Sequence, residues 1–365
     1  GFGTGEPDFD TPEFIKEAAI KAISEGKNKY TAATGLVELK SAIQARLLAD
    51  HNLSYEPNQI VVSCGAKHSI FNALMALVNP GDEVIVPSPY WVSYPEQIRL
   101  NGGVPVVIDC PDTANFKLTA DQLRAAITPK TRVLILNSPS NPSGMMYDES
   151  ELAEIAKVVL EHDIWVISDE IYEKLSYAPH QHYSIASVSE EIKQRTILVN
   201  GVSKAYAMTG WRIGYLAATP QVAKVIGNMQ SHMTSNPSTQ AQWASIAALT
   251  GDQGVVDEMK VKFNSRRQLI LRLLRAIPGI ECVEPQGAFY AFPNVSALYG
   301  KQGPDGVITD SVSFCEQLLK AVGVAAVPGA GFGADDYIRL SYATSDELIE
   351  AGLKRIHDFV ESRLS

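Results

Sequence analysis

The chain has 365 residues, of which 45% are hydrophobic and 20% are charged, and its formal net charge is −10. This composition is that of a globular protein with room for two lobes. The negative charge argues against non-specific nucleic-acid binding, which needs Lys- and Arg-rich surfaces. The four cysteines lack CxxC spacing, no apolar run reaches about 18 residues, and no signal peptide is recognised. We therefore expect a cytoplasmic protein with no membrane segment, no metal site and no nucleic-acid partner.

Short apolar runs, most of them continuous rather than alternating, predict strands that are buried on both faces of a mainly parallel sheet. Seven such runs lie at 59–63, 82–87, 104–108, 132–136, 164–168, 196–199 and 212–218. Helical stretches separate them at 66–78, 91–101, 119–127 and 148–162. Strands alternating with helices are typical of an α/β fold with a covered sheet.

Helical character rises from about residue 220 onward. Three short strand candidates follow, "GAFYAFPNV", "VAAVPGAGF" and "DYIRLSYA", with helices at 310–321 and 345–363. This part of the sequence predicts a smaller α+β lobe. We expect a large domain at 16–255 and a small domain that combines 1–15 with 256–365.

The loops that follow the predicted strands are the expected location of a ligand, because open α/β sheets bind ligands beyond the carboxyl ends of their strands. Gly65 and Ala66 follow the first strand and open a helix, whose free N–H groups form an anion site. Trp91 follows the second strand and offers a flat ring, and Asn141 lies in the Pro-rich loop after the fourth. Each feature also has a purely structural explanation. Gly65 and Ala66 could form an ordinary strand-to-helix turn, Trp91 could pack in the core, and Asn141 could form an Asx-turn.

Charged and hydroxyl groups follow the later strands. Asp169 comes directly after the fifth strand, where a carboxylate is costly unless it meets a cation or several donors, although an N-cap is the alternative. Tyr172 lies one helical turn further on. The stretch "NGVSKAYAMTGWRIGY", 200–215, joins the last two strands and carries Ser203, Lys204 and Arg212. Burial and nearby cations would make the lysine a nucleophilic amine, and Arg212 suits a carboxylate or a phosphate, whereas a solvated lysine is the alternative.

One edge of the predicted sheet thus collects a helix N-terminus, a flat aromatic ring, a buried acid, a tyrosine, an amine and a guanidinium. This set suits a flat, phosphorylated heteroaromatic cofactor that bonds to an amine. Pyridoxal 5'-phosphate would interact with each group. The amine would bond to its aldehyde, the acid would pair with its ring nitrogen, and the cations would bind its phosphate. The sequence therefore predicts pyridoxal 5'-phosphate as the cofactor.

The segment "SKAYAMTGWRIGY" resembles the pyridoxal-phosphate lysine signature of class I aminotransferases. The segments "GEPDF", "YTAATGLVELKSAI", "PSNPSG", "SDEIYEKL", "PQGAFY" and "YIRLSYATS" fit the same family in the same order, over about residues 3–363. The segments "GAKH" and "PYWVSYPEQ" are most similar to bacterial aspartate aminotransferases of the prokaryotic branch. The resemblance implies fold type I and a homodimer with shared active sites. It also implies ping-pong transfer of the amino group of L-aspartate to 2-oxoglutarate.

The resemblance further implies a role for each candidate residue. Lys204 bonds to the cofactor aldehyde and moves the substrate proton, Asp169 pairs with the ring nitrogen, and Tyr172 donates a hydrogen bond to the ring hydroxyl. Trp91 stacks on the ring. The implied phosphate ligands are Gly65, Ala66, Ser203, Arg212 and, from the neighbouring subunit, Tyr30; the implied ligands of the substrate α-carboxylate are Arg339, Asn141 and Gly5.

Substrate choice within the family rests on the group that binds a distal carboxylate. Animal-type relatives use an Arg from the neighbouring subunit, but the matching region here, "MQSHMTSNPSTQ", has none. The prokaryotic branch implies Lys67 instead, with a solvated helix-start lysine as the alternative. A prephenate, aromatic or alanine aminotransferase, a lyase or synthase with the same cofactor, and a non-catalytic effector-binding domain stay open. The complete catalytic set and the absence of an appended basic helix-turn-helix argue against the last.

Overall fold

A seven-stranded sheet forms the centre of the larger part of the chain in the computed structural model, which describes residues 1–364. In space its strands run in the order β1-β7-β6-β5-β4-β2-β3, and only β7 is antiparallel to its neighbours. The predicted mainly parallel sheet is therefore confirmed. The strands are β1 (Ile60–Ser63), β2 (Glu83–Ser88), β3 (Val104–Asp109), β4 (Thr131–Asn137), β5 (Trp165–Asp169), β6 (Thr196–Gly201) and β7 (Gly214–Ala217).

Helices cover the sheet, which is why its inner strands have continuous apolar runs. Every residue of β1, β6 and β7 is buried, whereas the edge strand β3 exposes Val104 and Val107. Thr119 and Asp148 start two of the helices with capping boxes, in which side chain and backbone satisfy each other. The helices are α1 (Glu13–Ser24), α2 (Val37–His51), α3 (Ala66–Leu77), α4 (Ser93–Leu100), α5 (Ala120–Ala126), α6 (Glu149–Glu161), α7 (Glu190–Lys193), α8 (Pro220–Met233) and α9 (Thr239–Thr250).

The rest of the chain builds a smaller sheet with its own apolar core. Its strands pair in the order β11-β12-β8, all antiparallel, and the three predicted strands are each present but short. The elements are α10 (Gly254–Leu274), β8 (Tyr290–Ala291), β9 (Gln302–Gly303), β10 (Gly306–Val307), α11 (Ser311–Val322), β11 (Val327–Pro328), β12 (Ile338–Ser341) and α12 (Asp346–Leu364).

The first residues of the chain form hydrogen bonds with this smaller part of the protein. The backbone N–H of Phe2 donates to Ala325 O at 2.8 Å, and the N–H of Ser341 donates to Phe2 O at 2.9 Å. Arg266 on α10 forms a bidentate pair with Asp8. These contacts support a small domain that includes the N-terminal segment, and the bounds 1–15, 16–255 and 256–365 stay predictions.

The two sheets face each other across a cleft, and this arrangement brings distant parts of the sequence together. The carboxyl ends of β4 and β5 present Asn137 and Asp169 at the same edge of the large sheet. Strand β12 of the small sheet presents Arg339 opposite them. None of the helices between residues 1 and 364 combines the length and apolar composition needed to cross a membrane.

Candidate active site

A cavity of about 400 Å³ lies at the carboxyl ends of the large-sheet strands, closed on one side by the small sheet. Every sequence-predicted site residue lines it except Gly65, which sits immediately behind Arg212, and Tyr30. The predicted residues that line it are Gly5, Ala66, Lys67, Trp91, Asn141, Asp169, Tyr172, Ser203, Lys204, Arg212 and Arg339. The structure therefore assembles one site from segments up to 334 positions apart in sequence, from Gly5 to Arg339.

Lys204 is a primary amine whose setting favours the neutral, nucleophilic form. Its Nζ donates to Gly5 O at 2.5 Å. The pKa of Lys204 is lowered to about 8, chiefly by burial and with help from Arg212 and Arg339, against the raising effect of Glu6 and Asp169. A neutral amine is required for attack on a carbonyl carbon, so the enclosure of this side chain prepares it for that chemistry.

Asp169 is a buried carboxylate held by two donors. The hydroxyl of Tyr94 donates to Asp169 Oδ2 at 2.6 Å, and the N–H of Ile171 donates to Oδ1 at 3.2 Å. Burial raises the pKa of Asp169 to about 6, against the lowering effect of both hydrogen bonds and of Lys204. A carboxylate in this setting gains from a cationic partner, because its ionised form is otherwise only partly compensated.

The start of α3 and Arg212 form a cradle whose donors suit an anion. The helix begins at Ala66 after Gly65, and no side chain that the structure describes caps its first N–H groups. Gly65 has φ +88, and a Cβ there would lie 2.3 Å from Arg212 Nη2, so only glycine lets the guanidinium lie against the helix end. Arg212 donates to Thr209 O at 2.8 Å, and Ser203 adds a buried hydroxyl nearby.

Arg339 is a second guanidinium, fixed on the opposite wall. Its Nη1 donates to Asn141 Oδ1 and its Nη2 donates to Gly3 O, each at 2.9 Å. The guanidinium lies 4.5 Å from the ring centre of Tyr290, and its buried Nε has no partner among the described residues. This side chain is pre-oriented and retains donor capacity for a carboxylate.

Aromatic groups form the remaining walls. The ring of Trp91 meets that of Tyr94 edge-on at 5.4 Å, and Lys67 Nζ lies 4.8 Å from the centre of the Trp91 ring. Tyr172 shares a hydrogen bond of 2.8 Å with the hydroxyl of Tyr290. Trp91 therefore offers a flat surface to the cavity, and Lys67 adds a cation beside it.

Tyr30 lies outside this cavity. Its side chain is 90% exposed on a separate open surface near Trp243. The prediction assigns it to the phosphate of a neighbouring subunit, and its exposure in the single chain is compatible with that assignment. Its role stays a prediction.

The sequence analysis does not identify four polar residues that line the cavity, namely Tyr94, Asn137, Thr209 and Tyr290. Tyr94 lies within the segment "PYWVSYPEQ", three positions after Trp91, and this helical spacing is the signal that could have found it. Asn137 ends β4, donates to Asp169 O at 3.0 Å and accepts from the N–H of Asn141 at 2.8 Å. Tyr290 reaches the site from β8. No local pattern reveals Tyr290, because only the packing of the small sheet brings it there.

The residues present fit pyridoxal 5'-phosphate. The uncapped helix start with Arg212 and Ser203 matches a phosphate, and the buried Asp169 lacks the cation that a ring nitrogen would supply. Lys204 supplies the amine, and the cavity volume of about 400 Å³ is within the usual range for small cofactor sites.

Comparison with known proteins assigns the family. The family model described as "Aminotransferase class I and II" matches residues 1–356. The chain belongs to this family. This aminotransferase is 50% identical to the aspartate aminotransferase of Bacillus sp. strain YM-2, over 99% of the chain and 91% of that protein. It is 45% identical to the aspartate/prephenate aminotransferase of Cereibacter sphaeroides, over 98% of the chain and 90% of that protein.

Solved structures agree with this assignment. The aminotransferase superposes on the crystal structure of the Rhizobium meliloti aspartate aminotransferase with a TM-score of 0.96 and 45% identity. The match covers 99% of the chain and 90% of that structure. The predicted fold type I and the predicted cofactor are thereby confirmed, since enzymes of this family use pyridoxal 5'-phosphate.

Proposed function

We propose that this enzyme transfers the amino group of L-aspartate to 2-oxoglutarate and that its site is built for dicarboxylates. The observation that carries the proposal is the pair of cations besides those assigned to the cofactor. Arg339 is held by Asn141 on one wall, and Lys67 lies beside Trp91 on another. An amino acid with two carboxylates can meet both, and the similar proteins named above as aspartate aminotransferases support this substrate.

The roles of the chain's own residues follow from their positions. When bound, pyridoxal 5'-phosphate supplies the aldehyde that accepts the amino group and the electron sink that lowers the barrier to losing the α-proton. Lys204 holds and moves that proton at its Nζ, because its lowered pKa allows both protonation states near neutral pH. Asp169 provides the negative charge for the ring nitrogen, and Tyr172 provides a hydroxyl in the same cavity as Lys204.

The remaining residues bind and orient. Arg212, Ser203 and the N–H groups of Ala66 and Lys67 hold the phosphate, while Gly65 keeps the space that Arg212 occupies. In our proposal Trp91 stacks on the ring. Arg339 and Asn141, with the backbone of Gly5, orient the α-carboxylate, and this fixed geometry selects which bond to the α-carbon is broken.

We further propose that the enzyme is a homodimer in which Tyr30 reaches the partner's phosphate. Tyr30 is 90% exposed, and an exposed aromatic side chain in an open apolar depression suits an interface. A cytoplasmic location stays a prediction from composition.

Steady-state assays with L-aspartate, L-glutamate, L-alanine and L-tyrosine test the proposal. We expect the highest kcat/KM for L-aspartate. Lys67→Met should lower kcat/KM for aspartate by about 10- to 100-fold, because it removes a charged hydrogen bond, and leave that for alanine unchanged. Lys157→Met, an exposed lysine on α6, is the control that should alter neither. Equal losses for aspartate and alanine in Lys67→Met would contradict the dicarboxylate assignment.

Prephenate is a second candidate substrate. It too carries a distal carboxylate, and one similar protein is named an aspartate/prephenate aminotransferase. The same assay therefore includes prephenate as the amino acceptor with L-aspartate as the donor. Turnover of prephenate that is lost in Lys67→Met would show that prephenate is a second amino acceptor. The absence of turnover would limit the amino acceptors to 2-oxoglutarate and oxaloacetate.

A further inference from the structure

A second cluster of chemically active side chains lies behind the active site. It consists of His51, Glu170, Glu173 and His182, whose nearest ligand atoms all lie within 4.8 Å of one another. None of the four lines the cofactor cavity. The cluster is well enclosed, because the side chains of Glu170 and His182 are 1% and 4% exposed and those of His51 and Glu173 are 8% and 10% exposed.

The fold creates this cluster from a segment shared with the active site. Asp169 ends β5 and residues 170–173 follow it, and Asp169 and Tyr172 line the cofactor cavity. Glu170 and Glu173 instead meet imidazoles that come from elsewhere in the chain. His51 is the last residue of α2 and His182 lies in the loop before α7. One short segment therefore has a cofactor side and an opposite side made of two carboxylates.

Two contacts and one unpartnered atom define the geometry. His51 Nε2 lies 2.5 Å from Glu173 Oε2, and His182 Nε2 lies 3.1 Å from Glu170 Oε2. Nδ1 of His182 is buried without a hydrogen-bond partner among the described residues. A buried imidazole nitrogen without a protein partner is uncommon in native proteins, and such an atom often contacts a bound ion or an ordered water.

From this geometry we propose that the four residues form a binding site for a divalent transition-metal cation such as Zn²⁺. Two imidazole nitrogens and two carboxylate oxygens are a ligand set that Zn²⁺ accepts in tetrahedral geometry. Tetrahedral ligand atoms about 2.1 Å from the metal lie about 3.4 Å apart. The two His–Glu contacts of 2.5 and 3.1 Å and the limit of 4.8 Å for the whole set lie on either side of that value. Each carboxylate already meets an imidazole, so a bound cation would replace the protons held in those two contacts.

The surroundings have the outer partners that metal sites need. The hydroxyls of Ser168 and Ser184 each donate to Glu170 Oε1 at 2.7 Å, which orients the carboxylate and leaves Oε2 for the cation. A cleft large enough for about one water molecule lies next to Glu173 and is also lined by Asp50, Arg46 and Lys174. The spacing of these residues in sequence predicts no metal site, because only the tertiary structure joins positions 51, 170, 173 and 182.

The test is metal binding to the enzyme loaded with pyridoxal 5'-phosphate, after treatment with EDTA. Titration with Zn²⁺ against a chromophoric chelator is expected to give one site per chain in the wild type. His182→Gln and Glu173→Gln should each weaken that site by more than about tenfold, since even outer-partner changes cost that much in metal sites. The matched control is His162→Gln, which removes an exposed imidazole and should bind Zn²⁺ as the wild type does.

Co²⁺ provides a readout that needs no variant and no turnover. The wild-type enzyme with one equivalent of Co²⁺ should show the strong visible bands of a tetrahedral site, without the thiolate charge-transfer band that the free cysteines would give. X-ray absorption should then report four N/O ligands including two imidazoles. The proposal is overturned if the wild type binds no Zn²⁺, or if the two cluster variants bind it as tightly as His162→Gln. It is equally overturned if Co²⁺ is octahedral or sulfur-bound, in which case the cluster is only two His–Glu ion pairs.

Discussion

The hydroxyl of Tyr94 holds the pKa of Asp169 below the value that burial alone would give it. Tyr94 is buried, and its hydroxyl donates at 2.6 Å to a carboxylate that burial already makes costly to ionise. Tyr94→Phe removes this donor and leaves the ring in place. The remaining donor, the N–H of Ile171 at 3.2 Å, is longer and therefore weaker.

The size of the effect follows from the charge on the acceptor. A hydrogen bond to an ionised group contributes about 1.5–3 kcal/mol, and 1.36 kcal/mol corresponds to one pH unit in a pKa. The loss of the Tyr94 hydroxyl should therefore raise the pKa of Asp169 by about one to two pH units above its present value of about 6. At neutral pH much of the acid would then be protonated and unable to pair with the ring nitrogen.

The assay is the affinity of the apoenzyme for pyridoxal 5'-phosphate between pH 5 and pH 9. We expect the pH at which affinity declines to lie about one to two units higher in Tyr94→Phe than in the wild type. Tyr55→Phe is the control, since the buried hydroxyl of Tyr55 has no hydrogen-bond partner among the described residues and its loss removes none. Identical pH profiles for Tyr94→Phe and the wild type would refute the reasoning.

Two further predictions concern the acid and the phosphate cradle. Asp169→Asn should stabilise the apoenzyme at pH 7 by up to about 3 kcal/mol in urea unfolding, because a folded pKa raised from 3.8 to about 6 makes ionisation costly. That gain should shrink as the pH falls from 6 to below 4, and a gain that is constant with pH would contradict the assigned cause. Gly65→Ala places a Cβ against Arg212 and should weaken pyridoxal 5'-phosphate binding by about 10- to 100-fold, as expected for a lost charged hydrogen bond. Gly81→Ala has a similar φ of +87 with open space around it, so it should share the backbone strain but bind the cofactor normally; equal binding by both variants would contradict the cradle.

The strands and helices were largely predictable because the local pattern reflects local burial. The run 164–168 is apolar at nearly every position, and β5 occupies Trp165–Asp169, buried almost throughout. The first and last residues of the strands were less predictable. The strands β8 and β11 have only two residues each, although they lie within longer apolar stretches of sequence. Their length depends on pairing with β12, which is a long-range property.

The cofactor residues were predictable for a related reason. Parallel strands end at one edge, so polar residues after successive strands must converge, and this placed Asp169 and Lys204 together from the sequence alone. Predicting Tyr94 also requires the helical spacing from Trp91. That spacing places the Tyr94 hydroxyl within hydrogen-bond distance of Asp169. Tyr290 could not be predicted in this way, because the small sheet delivers it from another part of the chain.

Local composition and spacing thus decided which segments are strands, which are helices, and which chemical groups stand at the strand ends, because these depend on neighbours within a few residues. Only the tertiary structure decided how closely those groups meet. Packing buries Asp169 beside Tyr94, which sets its pKa, and fixes Arg339 against Asn141. It also brings His51 to Glu173, across 122 positions in the chain. Desolvation and distance control the strength of charge interactions, and both are properties of the packed chain.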